Sequence, residues 1–414
     1  MRMNKNDKGS LVPKLRFPEF INRENWAQVE ISKNLKESRI KGSDGEIAKK
    51  LTVKLWGRGV FEKKEILRGS KSTQYYRRKA GQFIYSKLDF LNQAFGIIPR
   101  HLEGYESTVD LPCFDVNDEL DVRFLLEYVK RESFYKNFGE IADGGRKAKR
   151  IQVETFLGFL IYLPELTEQQ KIADCLSSLD ELIAAEGKKL EELKSHKKGL
   201  MQKLFPAEGK SVPEWRFPEF RDSGEWCNNE LAGVGKIITG KTPPTADKSL
   251  WDGKIQFVTP TDITESKYQI VTERTVIESP KIKVLPAGSI LFTCIASVGK
   301  MAISVFPCIT NQQINAIVPF ETFCNEYIYY ALLERSVSIK ATLANSTLPI
   351  INKTEFSKIS IAVPLLLDEQ QKIADCLSSI DQLISEQSRK VEKLEEHKKG
   401  LTQGLFPSFE EVCK

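Results

Sequence analysis

Histidine is scarce in this chain, with three among 414 residues, and that leaves little material for a histidine-based metal enzyme. Two of the three, His196 and His397, occupy the same place in a repeated "HKKGL" and read as exposed helix residues rather than ligands. There are eight cysteines but no C-x-x-C pair, and Cys175 and Cys376 are again one position of a repeat, so the thiols are expected to be free and mostly buried. No uncharged apolar run approaches the ~18 residues of a membrane span, and the opening "MRMNKNDKGS" lacks the apolar centre of a signal peptide. A cytoplasmic chain without a membrane partner is the expectation. No Ser-His-Asp set or metal cluster stands out.

What is present is 41% hydrophobic and 28% charged residues, a balance that suits a soluble globular protein too long for one core. The net charge of +5 is unevenly placed. Residues 1–165 carry 31 Lys and Arg against 23 Asp and Glu, whereas residues 207–366 carry 16 of each. Within the first stretch, Lys49 to Arg100 holds 13 basic and three acidic side chains.

The segment "EQQKIADCLSS" occurs at Glu168–Ser178 and again, letter for letter, at Glu369–Ser379. Over 168–206 and 369–407, 26 of 39 positions are identical without gaps. Each half also opens alike, with "PKLRFPEF" at Pro13 and "PEWRFPEF" at Pro213. A period near 200 residues denotes a duplicated domain rather than a solenoid. The organisation read from this is a first variable domain at 1–165, a repeated helix at 166–206, a second variable domain at 207–366, and a repeated helix with a tail at 367–414.

In the first repeated block Ile172, Leu176, Leu179, Ile183, Leu190, Leu193, Leu200 and Leu204 fall on alternating steps of four and three, with Glu186 and Lys197 filling the two gaps. Ile373, Leu377, Ile380, Ile384, Val391, Leu394, Leu401 and Leu405 repeat the pattern, with Gln387 and Lys398 in the gaps. This spacing predicts long helices with a narrow heptad seam. Each starts soon after a proline, Pro164 or Pro364, and ends before another, Pro206 or Pro407. Pairing with each other buries both seams most cheaply. An antiparallel pair with an index sum of 584 sets Glu186 against Lys398 and Lys197 against Gln387, matching the polar interruptions, and is the expected register. Sliding by one heptad, to 577, lengthens the overlap but faces Glu186 with Val391 and Lys197 with Ile380.

The variable segments share punctuation. "AGQFIYSKL" and "AGSILFTCI" are apolar, β-rich runs, each followed by a short strand ending in proline, "FGIIP" and "NAIVP". Helix-like runs follow, "DVRFLLEYVKRESFYKNF" and "NEYIYYALLERSVSIKATL", then "RIQVETF" and "IINKTEF" before a last strand. These describe two α+β modules of one fold and different surface. "GKIITGKT" at Gly235–Thr242 matches the phosphate-loop pattern of an NTPase. Pro243 and Pro244 follow at once and disfavour the helix such a loop must open, so a rigid loop is the better reading.

These residues resemble the specificity subunit of a type I restriction-modification system. The resemblance rests on the doubled "EQQKIADCLSS" helix, the "RFPEF" openings, "ITGKTPPT" with "FVTPTDI", "PAGSILFTCIASVGKMAI" and "TNQQINAIVP", and in the first module on "GGRKAKRIQVETF". It implies two similar target recognition domains, each reading half of a split duplex sequence, separated by two long helices in an antiparallel coiled coil with pseudo-twofold symmetry. It also implies two modification subunits that carry S-adenosylmethionine and methylate adenine, together with restriction subunits that use ATP and Mg. The chain lacks an N-P-P-[FY] or D-P-P-Y motif and a glycine-rich S-adenosylmethionine site, so it is expected to be non-catalytic and to hold no cofactor. A type IIB-like specificity subunit and a coiled-coil scaffold without DNA are the alternatives. The Lys49–Arg100 charge excess argues against the scaffold.

Candidate DNA contacts follow from side-chain chemistry, because cations neutralise phosphates and Arg, Asn and Gln can read base edges. In the first domain they are Arg68, Lys71, Tyr75, Tyr76, Arg77, Arg78 and Lys79, and then Arg146, Lys147, Lys149 and Arg150 beside paired glycines. In the second they are Lys241, Thr242, Ser297, Lys300, Asn311, Gln312, Gln313 and Ser346.

Overall fold

A computed structural model of the chain describes residues 10–64, 70–140, 150–279, 282–343 and 350–407. Arg68, Arg146, Lys147, Lys149 and Ser346 lie outside the described residues. The chain divides into two compact units, residues 1–187 with 389–414, and residues 188–388. Each unit contains one variable module, the first half of the long helix that follows it, and the second half of the other long helix.

In the first unit a four-stranded antiparallel sheet has the order Leu35–Ser38, Cys113–Val116, Phe83–Tyr85, Phe95–Ile97. In the second the corresponding strands are Gly235–Thr239, Ile314–Pro319, Ile290–Thr293 and Met301–Ser304, in the same order, with Tyr268–Gln269 added at the edge. The duplication read from "AGQFIYSKL" and "AGSILFTCI" is therefore a duplication of topology. One equivalence differs from expectation: "FGIIP" corresponds to Met301–Ser304, and "NAIVP" to Cys113–Val116. Local pattern identified the strands, but order in a sheet is set by pairing across the chain.

The helix-like runs become Val122–Val129 and Glu132–Gly139 in the first unit and one helix, Asn325–Leu343, in the second. Asp121 starts the first of these by accepting from the Arg123 and Phe124 amides. The short helix Lys353–Ser357 has a reciprocal cap between Asn352 and Glu355.

The central helix runs Leu166–Leu204 and the C-terminal helix Leu367–Leu405. Every seam position is buried or half-buried, while His196 and His397 are exposed. The outer seam residues do more than pair helices. Ile172, Ala173, Leu176, Leu405 and Phe406 join the core of the first unit with Trp26 and Phe124. Their counterparts Ile373, Ala374, Leu377, Leu204 and Phe205 join that of the second with Trp226 and Tyr327.

The expected 584 register is not the one adopted. In the first unit Lys390 Nζ lies 2.5 Å from Glu186 Oε1 and Lys398 Nζ 2.6 Å from Asp180 Oδ2, giving index sums of 576 and 578. In the second unit Lys197 Nζ lies 2.5 Å from Asp381 Oδ1, again 578. The helices thus take the register near 577. The polar interruptions are satisfied sideways rather than across the seam, and each lysine also meets a third helix. Lys398 Nζ is 3.2 Å from Glu127, and Lys197 lies over the Tyr330 ring while the Tyr330 hydroxyl donates to Asp381 at 2.6 Å. Burial disfavours charge at Glu127, yet the ammonium groups of Lys130 and Lys398 hold its carboxyl below the usual range. With those partners available, the longer overlap carries no penalty of unpaired charge. In a background without native thiols, Glu186→Cys with Val391→Cys should form a disulfide under mild oxidation. Glu186→Cys with Lys398→Cys should not, and the reverse result would restore the 584 register.

Candidate nucleic-acid interface

The openings of the two halves and the starts of the long helices are bolted together. Arg16 of the first "RFPEF" donates Nε and Nη2 to the Glu168 carboxylate at 2.9 and 2.7 Å, and Trp26 Nε1 donates to the same group at 3.4 Å. Arg216, Trp226 and Glu369 repeat this at 2.7, 2.7 and 3.2 Å. A second ion pair one turn on, Lys171 with Glu19 or Lys372 with Glu219, accompanies each. Gln169 and Gln370 then accept from the Asp121 and Cys324 amides where the next helix begins. The repeated letters therefore encode an anchor between each module and its helix. The loops at the free end of each sheet carry the variable chemistry.

In the second unit three turns meet at the end of the five-stranded sheet. Gly240 donates to Ile314 O at 3.1 Å, Cys294 donates to Gln313 O at 2.7 Å, and the Thr242 hydroxyl donates to Gln312 Oε1 at 2.7 Å. Gly240 is required there, since a Cβ would come within 2.1 Å of Asn311 O. This brings together Lys241, Thr242, Ser297, Lys300, Asn311, Gln312 and Gln313. Their roles divide. Asn311 and Gln313 bond each other at 3.0 Å and shape the turn, whereas Gln312, Lys241 and Lys300 are exposed. "GKIITGKT" forms the strand Gly235–Thr239 and an extended loop, with no helix opening at Lys241 and Thr242, which removes the NTPase reading.

The equivalent end of the first unit has the same frame, with Ile151 donating to Lys87 O at 3.0 Å where Ile351 donates to Cys294 O at 2.9 Å. Arg77 and Lys79 are exposed and have no ion pair among the described residues, but Lys79 begins the turn Lys79–Gln82 that leads into Phe83–Tyr85 and so sits at the other end of that strand from Lys87. Arg150 is exposed and lies 3.7 Å from Asp110. Tyr75 sits under Lys50, and Lys71 faces Glu46 at 3.5 Å, so these two are less available. Arg78 is a correction. It is 2% exposed, packs against the Tyr76 ring, and donates to Ser107 Oγ, Ser38 O and Leu111 O at 2.8, 2.8 and 3.2 Å. It follows directly on the strand Gln74–Arg77 and turns inward between two exposed cations. Burial pulls its guanidinium below the ordinary value, against the pull of neighbouring groups. Arg39, Lys41 and Lys87 line the same end and were not among the sequence candidates. The only signal was the cation pair around Ile40 in "ESRIKGS".

Among the described residues no three His, Cys, Asp or Glu side chains gather as metal ligands. What the arrangement offers is two loop clusters of one frame and different chemistry, one strongly basic and one mixed and polar.

The family model described as type I restriction modification DNA specificity domain matches residues 108–195 and 223–396. The chain belongs to that family. It is 32% identical to the type I restriction enzyme MjaIX specificity subunit of Methanocaldococcus jannaschii over 195 residues, which is 45% of each protein. The chain thus spans about half the length of that relative. The MjaVIII specificity subunit of the same organism is 26% identical over 399 residues, 91% of each. The fold is that of a crystal structure of a type I restriction-modification S subunit from M. genitalium, with a TM-score of 0.63, 15% identity, and coverage of 96% of this chain and 100% of that one. In this specificity-family chain, then, the internal repeat and the α+β modules are features of the family.

Proposed function

We propose that the chain is a non-catalytic subunit of a type I restriction-modification complex that recognises a bipartite duplex target, one half with each loop cluster. The observation that carries this is the duplicated frame with unlike loops, basic around Arg39, Lys87 and Arg150 and polar around Gln312, Lys241 and Lys300. Phosphates would be neutralised chiefly by the first unit and bases read at both ends. The repeated helices would dock two modification methyltransferase subunits on equivalent surfaces, and restriction subunits would join them. S-adenosylmethionine, ATP and Mg would belong to those partners. No helix among the described residues is long and apolar enough to cross a membrane, which fits a cytoplasmic assembly on DNA.

Methylome sequencing of cells expressing the chain with its modification partner should show adenine methylation in one split sequence. Exchanging residues 20–160 for those of a relative should change only one half of it. Methylation by the purified chain alone, or changes on both sides of the spacer, would sink the reading. Arg77→Ala with Lys79→Ala should also flatten the log–log salt dependence of DNA binding by about 0.9 for each phosphate that is no longer neutralised. Lys241→Ala with Lys300→Ala should flatten it less, and an unchanged slope in the first pair would displace the DNA-facing surface.

A further inference from the structure

The hairpin Leu51–Val53/Val60–Glu62 carries at its tip Lys54-Leu55-Trp56-Gly57-Arg58-Gly59. Trp56 is 56% exposed, and its indole has no hydrogen-bond, ring or cation partner among the described residues. Its backbone is left-handed, at φ 60°, a conformation bulky L residues seldom adopt. Gly57 and Gly59 also have positive φ, 64° and 90°, so the tip retains a large side chain at one of three places where glycine would be easier. Such strain persists only where the surroundings enforce it. Here they do: the Trp56 amide donates to Asn92 O at 2.7 Å and the Gly57 amide to Gln93 O at 2.9 Å. Asn92 and Gln93 belong to the turn between Phe83–Tyr85 and Phe95–Ile97, at the same end of the sheet as Lys87 and Arg150.

The charge around the ring decides what it meets. Between residues 51 and 63 Lys54, Arg58 and Lys63 stand against one acid, Glu62, and Lys54 lies over the Phe61 ring at 4.1 Å. A pinned aromatic side chain with cations on either side suits a polyanion whose interior is a stack of flat rings. We infer that Trp56 is an aromatic wedge of the first recognition domain, pressed against a base step of its half-site while Lys54 and Arg58 hold the adjoining phosphates. Apolar side chains at such steps unstack bases and select the more deformable sequences, so Trp56 is a specificity-determining residue. This rests on the DNA-recognition reading of the two loop clusters.

The test uses the chain assembled with its modification partner and a duplex of the methylome-defined sequence, with 2-aminopurine placed singly along the first half-site. The unaltered complex should raise 2-aminopurine fluorescence at one step. Trp56→Ala should abolish that rise and weaken specific binding at least tenfold with the salt slope unchanged, and Trp56→Phe should retain most of both. Trp56→Gly relieves the backbone, so its melting temperature should rise by a few degrees while binding falls as for alanine, which separates contact from folding. Equal affinity of Trp56→Ala and the unaltered complex overturns the wedge and leaves DNA recognition standing. Loss of partner assembly with DNA binding intact overturns it too, by making Trp56 a protein contact. If the unaltered complex shows no sequence preference, DNA recognition itself fails.

Discussion

Glu168→Ala is expected to destabilise the unit built from residues 1–187 and 389–414 by about 3–5 kcal/mol, the range for removing one partner of a buried ion pair. The carboxylate is 1% exposed and the Arg16 side chain 6%. Glu168 accepts two guanidinium bonds and the Trp26 indole, so its loss leaves a buried cation facing a void. Arg16 keeps its bonds to Arg23 O and Glu24 O, which satisfies donors but not charge. Replacing the pair together, Arg16→Met with Glu168→Leu, should be less damaging than either single change, because no charge is then stranded. Hydrogen exchange localises the effect. Protection should fall in Trp26–Glu30 and Leu160–Leu163, and not in the counterpart pair Cys227–Glu230 and Ser360–Val363. Stability within about 0.5 kcal/mol of the unaltered chain, or strictly additive changes, would show the clamp to be peripheral.

The clamp also shows what the sequence could and could not disclose. "RFPEF" and "EQQKIAD" were both visible as repeats, but that Arg16 belongs to Glu168 is a contact across 152 positions, which repetition alone does not reveal. The heptad seam was legible because burial follows the three-four spacing at every position. Its register was not. In an isolated helix pair Glu186 and Lys197 would need polar residues across the seam, whereas in this fold Asp180, Asp381 and the third-helix residues Glu127 and Tyr330 take the polar roles from the side. At the loop ends, composition located the basic cluster, and topology selected its members. Lys41 enters it by pairing with Tyr76, and Lys87 by accepting the Ile151 amide. Trp56 was invisible as a surface residue because tryptophan ordinarily reads as core.

The run Arg77-Arg78-Lys79 gives the second large effect, and its three members should part company. Arg78→Ala is expected to lower the stability of the first unit by about 3 kcal/mol or more, since in a buried site it takes a donor from the Ser38 carbonyl and from the Leu111 carbonyl, which keeps the Ser107 hydroxyl, and empties the space of a long side chain. Those carbonyls lie at the end of Leu35–Ser38 and in the turn before Cys113–Val116, so one guanidinium fork ties a strand end to the neighbouring turn. Lysine cannot replace it, because a single ammonium does not reach along three directions in one plane. Arg78→Lys should therefore recover less than half of the loss. Arg77→Ala and Lys79→Ala remove exposed side chains and should stay within about 0.5 kcal/mol of the unaltered chain. DNA binding supplies the opposite ranking. At a temperature where all variants remain folded, Arg77→Ala and Lys79→Ala flatten the salt dependence, whereas Arg78→Ala leaves the slope unchanged because its guanidinium neutralises no phosphate. Thermal unfolding and a salt titration on the same samples decide it. A stable Arg78→Ala with a flattened slope would place that guanidinium on the DNA and not inside the fold.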